Sequence, residues 1–415
     1  MSCSTTNAPV KKPSSAKALL KSLSLLDRFL ALWVFIAMVL GVVIGLYAPN
    51  VQDTFDRHKF AGVSIPLMVG MIVMIWPALS KVEYERIPAM MKSRGMWKQV
   101  AFSLVVNWIV GPFVRPSSDP GQDPHTDERE QVMLGCAWAG LPDLDDYRQG
   151  VIMVGLARCI AMVLIWTSLA GGDGNLCAII VIINSLLQII LYSPYALLFL
   201  DVIAPAGTRV GLQYGTTAIA VLIYLGIPLV LAISTRFLLV ALLGKERYTT
   251  KFLPYFGPLA LAGLLYTIII IFAQQAKEII HNIGNVFRVV VPLVLYFAVM
   301  WVGTFGAVWY WSNRQRRQGR ATDIGYEAAV VHAFTGASNN FELSIAVCVA
   351  VFGVDSNQAL AATIGPLVEV PVLLSLTWVS LYLGRRLAWG SLEVDGPREA
   401  EETGLEDSSV KSEVV

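Results

Sequence analysis

Hydrophobic residues fall along this chain in blocks of about 20, the length a helix needs to cross about 30 Å of hydrocarbon. Ten such blocks can be laid out, at about 29–48, 60–79, 97–114, 150–169, 176–200, 215–243, 254–273, 288–311, 327–353 and 358–384. The third continues over 132–140 once an interruption is set aside. Only a helix or a closed barrel satisfies its backbone groups where water is absent. Blocks of this length therefore predict an all-α integral membrane protein with ten transmembrane helices. The chain divides into a polar, basic tail (1–28), a ten-span domain (29–390) and an acidic, Ser-containing tail (391–415) expected to be disordered. The first block is too long for a signal-peptide core, so it reads as the first helix.

Composition narrows the class. Of 415 residues, 55% are hydrophobic and 15% charged, against about a quarter charged in soluble domains. The net charge of +1 gives no reason to expect a nucleic-acid partner. The five cysteines are odd in number and lie mostly inside hydrophobic blocks, which is not a disulfide framework. Lys and Arg sort the loops. Lys11, Lys12, Lys17, Lys21 and Arg28 precede the first span. Lys81, Arg86, Lys92, Arg94 and Lys98 follow the second, and Arg236, Lys245, Arg247 and Lys251 follow the sixth. Arg314, Arg316, Arg317 and Arg320 follow the eighth, and Arg385 and Arg386 the tenth. All lie on one side of a ten-span chain, which places both termini in the cytoplasm.

An internal repeat sharpens the picture. Gly155-Leu-Ala-Arg-Cys-Ile-Ala-Met-Val, followed by Gly172-Asp-Gly-Asn-Leu-Cys177, resembles Gly336-Ala-Ser-Asn-Asn-Phe-Glu-Leu-Ser, followed by Val354-Asp-Ser-Asn-Gln-Ala359. Arg158-Cys159 falls opposite Asn339-Asn340, and Asp173 opposite Asp355 with a one-residue gap. The segments belong to spans four and nine, an odd number of spans apart, so the two halves have opposite orientations. Inverted five-helix repeats with broken helices crossing at mid-membrane are a transporter architecture. Chance similarity between two apolar helices rich in small residues is the competing reading.

Arg158, Glu342 and Glu369 are charged residues inside predicted spans. Each costs about 3 kcal/mol or more to insert, so a functional site is the default reading. A structural ion pair between Arg158 and one of the acids is the alternative. Glu342, beside the break-prone Ser338-Asn-Asn340 run, suits a proton carrier, and Glu369 suits the same role. Cys159 follows Arg158, and a neighbouring cation favours the thiolate that binds soft metals and metalloids. A small apolar core residue is the plainer reading of it. Asn184 is polar in an apolar run and is a candidate for the cavity. Cys136, Cys177 and Cys348 read as packing residues, as does His332, with a helix cap or proton relay open for the last. Trp166 reads as one of many lipid-facing or interfacial aromatics. There is no Walker loop and no zinc-spaced Cys/His set, so neither an enzyme nor a cofactor is expected.

These residues resemble the Acr3 arsenite permeases of the bile acid/arsenite/riboflavin transporter superfamily, with the fungal members nearest. The matching stretches are Arg158-Cys-Ile-Ala-Met-Val-Leu-Ile-Trp166, Ala170-Gly-Gly-Asp-Gly-Asn-Leu-Cys177, Asn184-Ser-Leu-Leu-Gln188, Ser338-Asn-Asn-Phe-Glu342, Gly365-Pro-Leu-Val-Glu-Val-Pro371 and Val63-Ser-Ile-Pro-Leu-Met-Val-Gly-Met-Ile-Val73. The resemblance implies ten spans with cytoplasmic termini, and export of arsenite, for some members also antimonite, in exchange for protons. It implies an essential thiol at Cys159 as the As(III) ligand, and essential acids at Glu342 and Glu369. It also implies functional positions at Arg158, Trp166, Asn184, Asn340 and Phe341. The plasma membrane is the expected location, with a vacuolar membrane left open.

The chain departs from the resemblance in one place. Residues 114–131 carry three prolines and seven charges between Trp108-Ile-Val-Gly-Pro-Phe113 and Val132-Met-Leu-Gly-Cys136. Such a segment cannot continue a lipid-facing helix. It reads as a retained intron or, alternatively, as an extracellular loop extension. Two other functions compete with arsenite export. One is a sodium-coupled organic anion symporter, with Asn339, Asn340 and Glu342 as ion ligands and Cys159 dispensable. The other is a membrane receptor without flux.

Overall fold

The computed structural model describes residues 29–48, 59–60, 63–86, 88, 94–113, 132–160, 162–203, 214–318 and 324–389. Both tails and the 114–131 segment lie outside the described residues. Helix α1 is Leu30–Tyr47. A hairpin of two-residue strands, β1 (Lys59–Phe60) and β2 (Val63–Ser64), leads into α2 (Ile65–Ser80). Helix α3 (Arg94–Val105) continues through a π-turn at Val106–Val110 to Gly111–Phe113, which packs against α4 (Val132–Gly140). Then come α5 (Asp145–Leu156), α6 (Met162–Leu169), α7 (Gly174–Leu197), α8 (Tyr214–Leu243) and α9 (Lys245–Gln274). The chain continues with α10 (Ile283–Arg317), α11 (Tyr326–Ala337), α12 (Phe341–Phe352), α13 (Asn357–Thr363) and α14 (Gly365–Arg386).

The described chain is thus an all-α membrane protein apart from one minimal hairpin. Among the described residues, five continuous helices are long and apolar enough to cross a bilayer: Gly174–Leu200, α8, α9, α10 and Asn357–Arg386. Shorter apolar helices occupy Leu32–Tyr47, Ile65–Ser80 and Phe341–Phe352. Large apolar side chains such as Phe35, Val230, Leu242, Phe287 and Val302 are exposed, as lipid allows and water does not.

Small residues set how closely the helices approach. Helix α9 lies against both α1 and α2. A Cβ added at Gly45 on α1 would meet the Ala273 carbonyl oxygen at 2.2 Å, and one at Gly41 would meet that of Ile269 at 2.7 Å. Without hydrophobic drive in lipid, backbone-close packing of this kind supplies the association. Gly45→Leu is expected to force α1 off α9 and to cost about 1–3 kcal/mol or more. A lower midpoint in detergent thermal unfolding checks it, and an unchanged midpoint contradicts it.

At one end of α2 and α8, Arg236 departs from its expected place in a loop. It sits inside α8, 1% exposed, and grips Glu85 with two hydrogen bonds of 2.9 and 2.6 Å. Lys245 at the start of α9 lies 3.0 Å from Glu83 and 3.4 Å from Glu85. The Arg236 guanidinium holds the Glu85 carboxyl down to about 2. At the start of α5, Arg148 stacks 3.6 Å over Trp138 and pairs with Asp145, while Arg288 pairs with Asp143.

Two helices break, and they break alike. Helix α5 stops because Ala157 turns extended (φ −83, ψ 123), and α11 stops because Ser338 does the same (φ −83, ψ 139). Arg158 and Asn339 then pair as an antiparallel bridge. The Asn340 N–H donates to the Ala157 carbonyl at 3.0 Å, and the Cys159 N–H to that of Ser338 at 3.4 Å. Each break thus supplies part of the other's missing hydrogen bonding in a place without water. Caps restart the helices. Asn340 accepts from the Leu343 N–H at 3.1 Å, Asp173 from those of Asn175 and Leu176, and Ser356 from that of Ala359. The cap matching Asp173 is therefore Ser356, not the neighbouring Asp355.

Candidate substrate site at the helix crossing

The crossing gathers most of the residues singled out from the sequence. Arg158 is fully buried. Its guanidinium donates to the Tyr296 hydroxyl at 3.1 Å and to the Gly155 carbonyl, and its backbone N–H donates to Gln188 Oε1. Among the described residues it forms no ion pair with Glu342 or Glu369, so the structural-pair reading fails. A polar cradle holds this cation instead, closed by Gly111, where a Cβ would stand 3.2 Å from Nη1.

Cys159 is buried as well. Glu369 and Glu342 are charged groups within electrostatic reach of its thiol, and the Ser338 hydroxyl stands beside it. The expected promotion of a thiolate by Arg158 has no support in this geometry. Successive side chains of an extended segment point to opposite faces, so adjacency in sequence separates these two groups.

Glu369, near the start of α14, is fully buried and accepts from the Ser338 hydroxyl at 3.1 Å. The Asn339 N–H and the Trp166 indole N–H point at the same carboxyl without closing a full hydrogen bond. Trp166 is fully buried, which corrects its assignment to the lipid or interfacial face. Glu342 lies in the first turn of α12, 6% exposed. Its Oε1 has no hydrogen-bond partner among the described residues. Phe341 packs on Gly365, whose added Cβ would stand 3.0 Å from the Phe341 Cβ.

Asn184, a candidate for the cavity, is buried and accepts from the Trp108 indole N–H at 3.0 Å. Tyr296 and Gln188 were missed as site residues. The Tyr296 hydroxyl receives Arg158 and lies 3.5 Å from Asn339 Oδ1. Nothing in sequence separates Tyr296 from other span aromatics, whereas Gln188 carried the same signal as Asn184, a polar residue in an apolar run. His332 packs edge-on against Phe102, with ring centroids 5.1 Å apart. Cys177 donates to Thr167 Oγ1 at 3.4 Å, and Cys136 and Cys348 are also buried.

Several polar atoms at the crossing have no partner among the described residues. They are the donors Arg158 Nε, Gln188 Nε2, Asn339 Nδ2, Asn340 Nδ2 and Trp166 Nε1, and the acceptors Glu342 Oε1 and Glu369 Oε2. Such groups are costly in a buried site unless something binds them. Soft sulfur, two carboxyls and free amide donors together suit a small, neutral, oxygen-bearing substrate.

Comparison with known proteins places the chain. The model of the Sodium Bile acid symporter family matches residues 68–115 and 131–282, passing over the segment between them. The Arsenical-resistance protein Acr3 of Corynebacterium glutamicum is 34% identical over 88% of this chain and 91% of its own length. The Arsenical-resistance protein Acr3 of Alkaliphilus metalliredigens is 30% identical over 87% and 93%. An uncharacterized transporter of Synechocystis is 31% identical over 86% and 88%. The extent of these matches, added to paired broken helices around a buried thiol and two carboxyls, makes this chain a membrane transporter, not an enzyme, and a member of the Acr3 arsenical-resistance family within the sodium bile acid symporter group.

Proposed function

We propose that this chain exports arsenite from the cytoplasm in exchange for protons, with antimonite as a second substrate, across the plasma membrane and with both termini cytoplasmic. The observation that carries the reading is the meeting of Cys159 with Glu342 and Glu369 at the helix crossing. The near-identical breaks at Ala157 and Ser338 support two inverted five-helix repeats, the ten-span arrangement in which such a site alternates between the two sides.

The chemistry is self-consistent. Arsenite is neutral As(OH)3 at cytosolic pH, so voltage alone does not drive it out, and exchange for an inward proton does. The Cys159 thiol attacks arsenic, forming an S–As bond and breaking one As–O bond. The S–H proton leaves with that hydroxide as water, and arsenic stays As(III). A neighbouring carboxylate relays the proton. One sulfur ligand grips and still releases, since water reverses the step on the far side. Glu342, with Glu369, takes up a proton on the outside and yields it to the cytoplasm. Arg158, Asn184, Trp166, Asn340 and Phe341 shape the pocket.

The test is growth on arsenite of a host lacking its own exporters. The chain is expected to restore growth in sodium-free medium. No restoration, with sodium-dependent uptake of an organic anion instead, would favour the second reading, a sodium-coupled organic anion symporter, which the matched family model supports. Against that reading, Asn340 Oδ1 caps α12, and Asn339 Oδ1 already faces the Tyr296 hydroxyl. Binding without flux would favour a receptor.

The segment 114–131 is best read as a retained intron. The family model passes over residues 116–130, and the helical ends on either side pack together. A transcript that joins Phe113 directly to Val132 is expected, and one that keeps the segment in all copies would make it a loop.

A further inference from the structure

The two breaks are held by matching hands. The backbone N–H of Arg158 donates to Gln188 Oε1, 30 positions onward on α7. The backbone N–H of Asn339, the bridge partner of Arg158, points at the carboxyl of Glu369, also 30 positions onward, on α14. Gln188 thus stands to the first break as Glu369 stands to the second. One is a neutral amide and the other an acid. Gln188 is fully buried, and its Nε2 has no partner among the described residues. Asn184, one helical turn before it, has its carbonyl occupied by Trp108.

We propose that Gln188 is a positioning and substrate-contacting residue. Its carbonyl fixes the backbone immediately before Cys159, and its free amide N–H donates to an oxygen of a small neutral hydroxide such as As(OH)3. Glu369 Oε2 accepts from another hydroxyl across the crossing. The clamp therefore offers one donor and one acceptor to a molecule whose hydroxyls both accept and donate. The substrate half of this inference rests on the arsenite reading, and the positioning half does not.

Two variants separate the halves. Gln188→Glu keeps an oxygen for the Arg158 N–H and replaces the free donor with an acceptor, while Gln188→Leu removes both. In arsenite uptake by everted vesicles, Gln188→Glu is expected to raise KM about tenfold or more, the loss of one buried hydrogen bond to substrate, with Vmax within about threefold. Acidifying the bath is expected to restore KM, since a neutral carboxyl again donates; wild-type vesicles in the same bath set the baseline. An unchanged KM overturns the donor role. Maleimide alkylation of Cys159 in the full-length solubilised chain, resolved by peptide mass, reads positioning without arsenite. Gln188→Leu is expected to speed alkylation about tenfold as the strand loosens, and Gln188→Glu to leave it at the wild-type rate. Equal rates for wild type and Gln188→Leu overturn the positioning role. If wild-type vesicles move no arsenite, the arsenite reading and the donor role built on it fall together, while alkylation still decides positioning.

Discussion

Glu342→Gln is expected to lower arsenite/proton exchange by about a hundredfold or more, the scale at which a positioned proton-transfer group acts. The side chain sits in the first turn of α12, nearly buried, with an oxygen that has no partner among the described residues. The amide keeps its size, and the helix keeps its Asn340 cap, so the fold has no reason to fail. What disappears is the only change of charge the side chain can undergo. Everted vesicles with an imposed pH gradient check it. Arsenite should still shield Cys159 from maleimide in this variant, because binding uses the thiol and coupling uses the acid. Full exchange by Glu342→Gln would remove Glu342 from the mechanism.

Cys159→Ser has the second large effect, again a loss of about a hundredfold or more in arsenite transport, but for a different reason. Serine fills nearly the same volume beside Ser338 and places oxygen where arsenic prefers sulfur. The change should not disturb packing, so protein level in the membrane and thermal midpoint should match wild type. The loss should fall on arsenite and antimonite and spare any proton leak through the carboxyls. A sodium-coupled organic anion symporter would tolerate this substitution, so retained transport in Cys159→Ser would shift the assignment to that class.

The architecture was largely legible because it follows from solvent. Helices must cross lipid, and block length and polarity report them. The breaks were legible too, since Ser338-Asn-Asn340 and Arg158-Cys159 are polar runs with no other reason to lie at mid-membrane. The wiring of the site was less so. Arg158 and Cys159 are neighbours in sequence, and a helical reading puts cation and thiol on adjoining positions. The extended bridge to Asn339 turns them to opposite faces. Tyr296 became visible only when α10 came against the crossing, because a tyrosine in a span usually marks an interface. The same rule made Trp166 an interfacial aromatic from its residue type alone, whereas the resemblance placed it among the functional positions. Arg236 was counted with the loop cations although the sixth block already ran to 243; α8 ends at Leu243, so the residue lies inside the helix, in the pair with Glu85.

The measurement that bears most directly on the central claim is arsenite uptake into everted membrane vesicles, in which the cytoplasmic face looks outward. With the lumen made acidic, arsenite should accumulate above its bath concentration while protons leave, without sodium, and a protonophore should abolish the accumulation. Uptake indifferent to the pH gradient, or dependent on a sodium gradient, would contradict proton-coupled export.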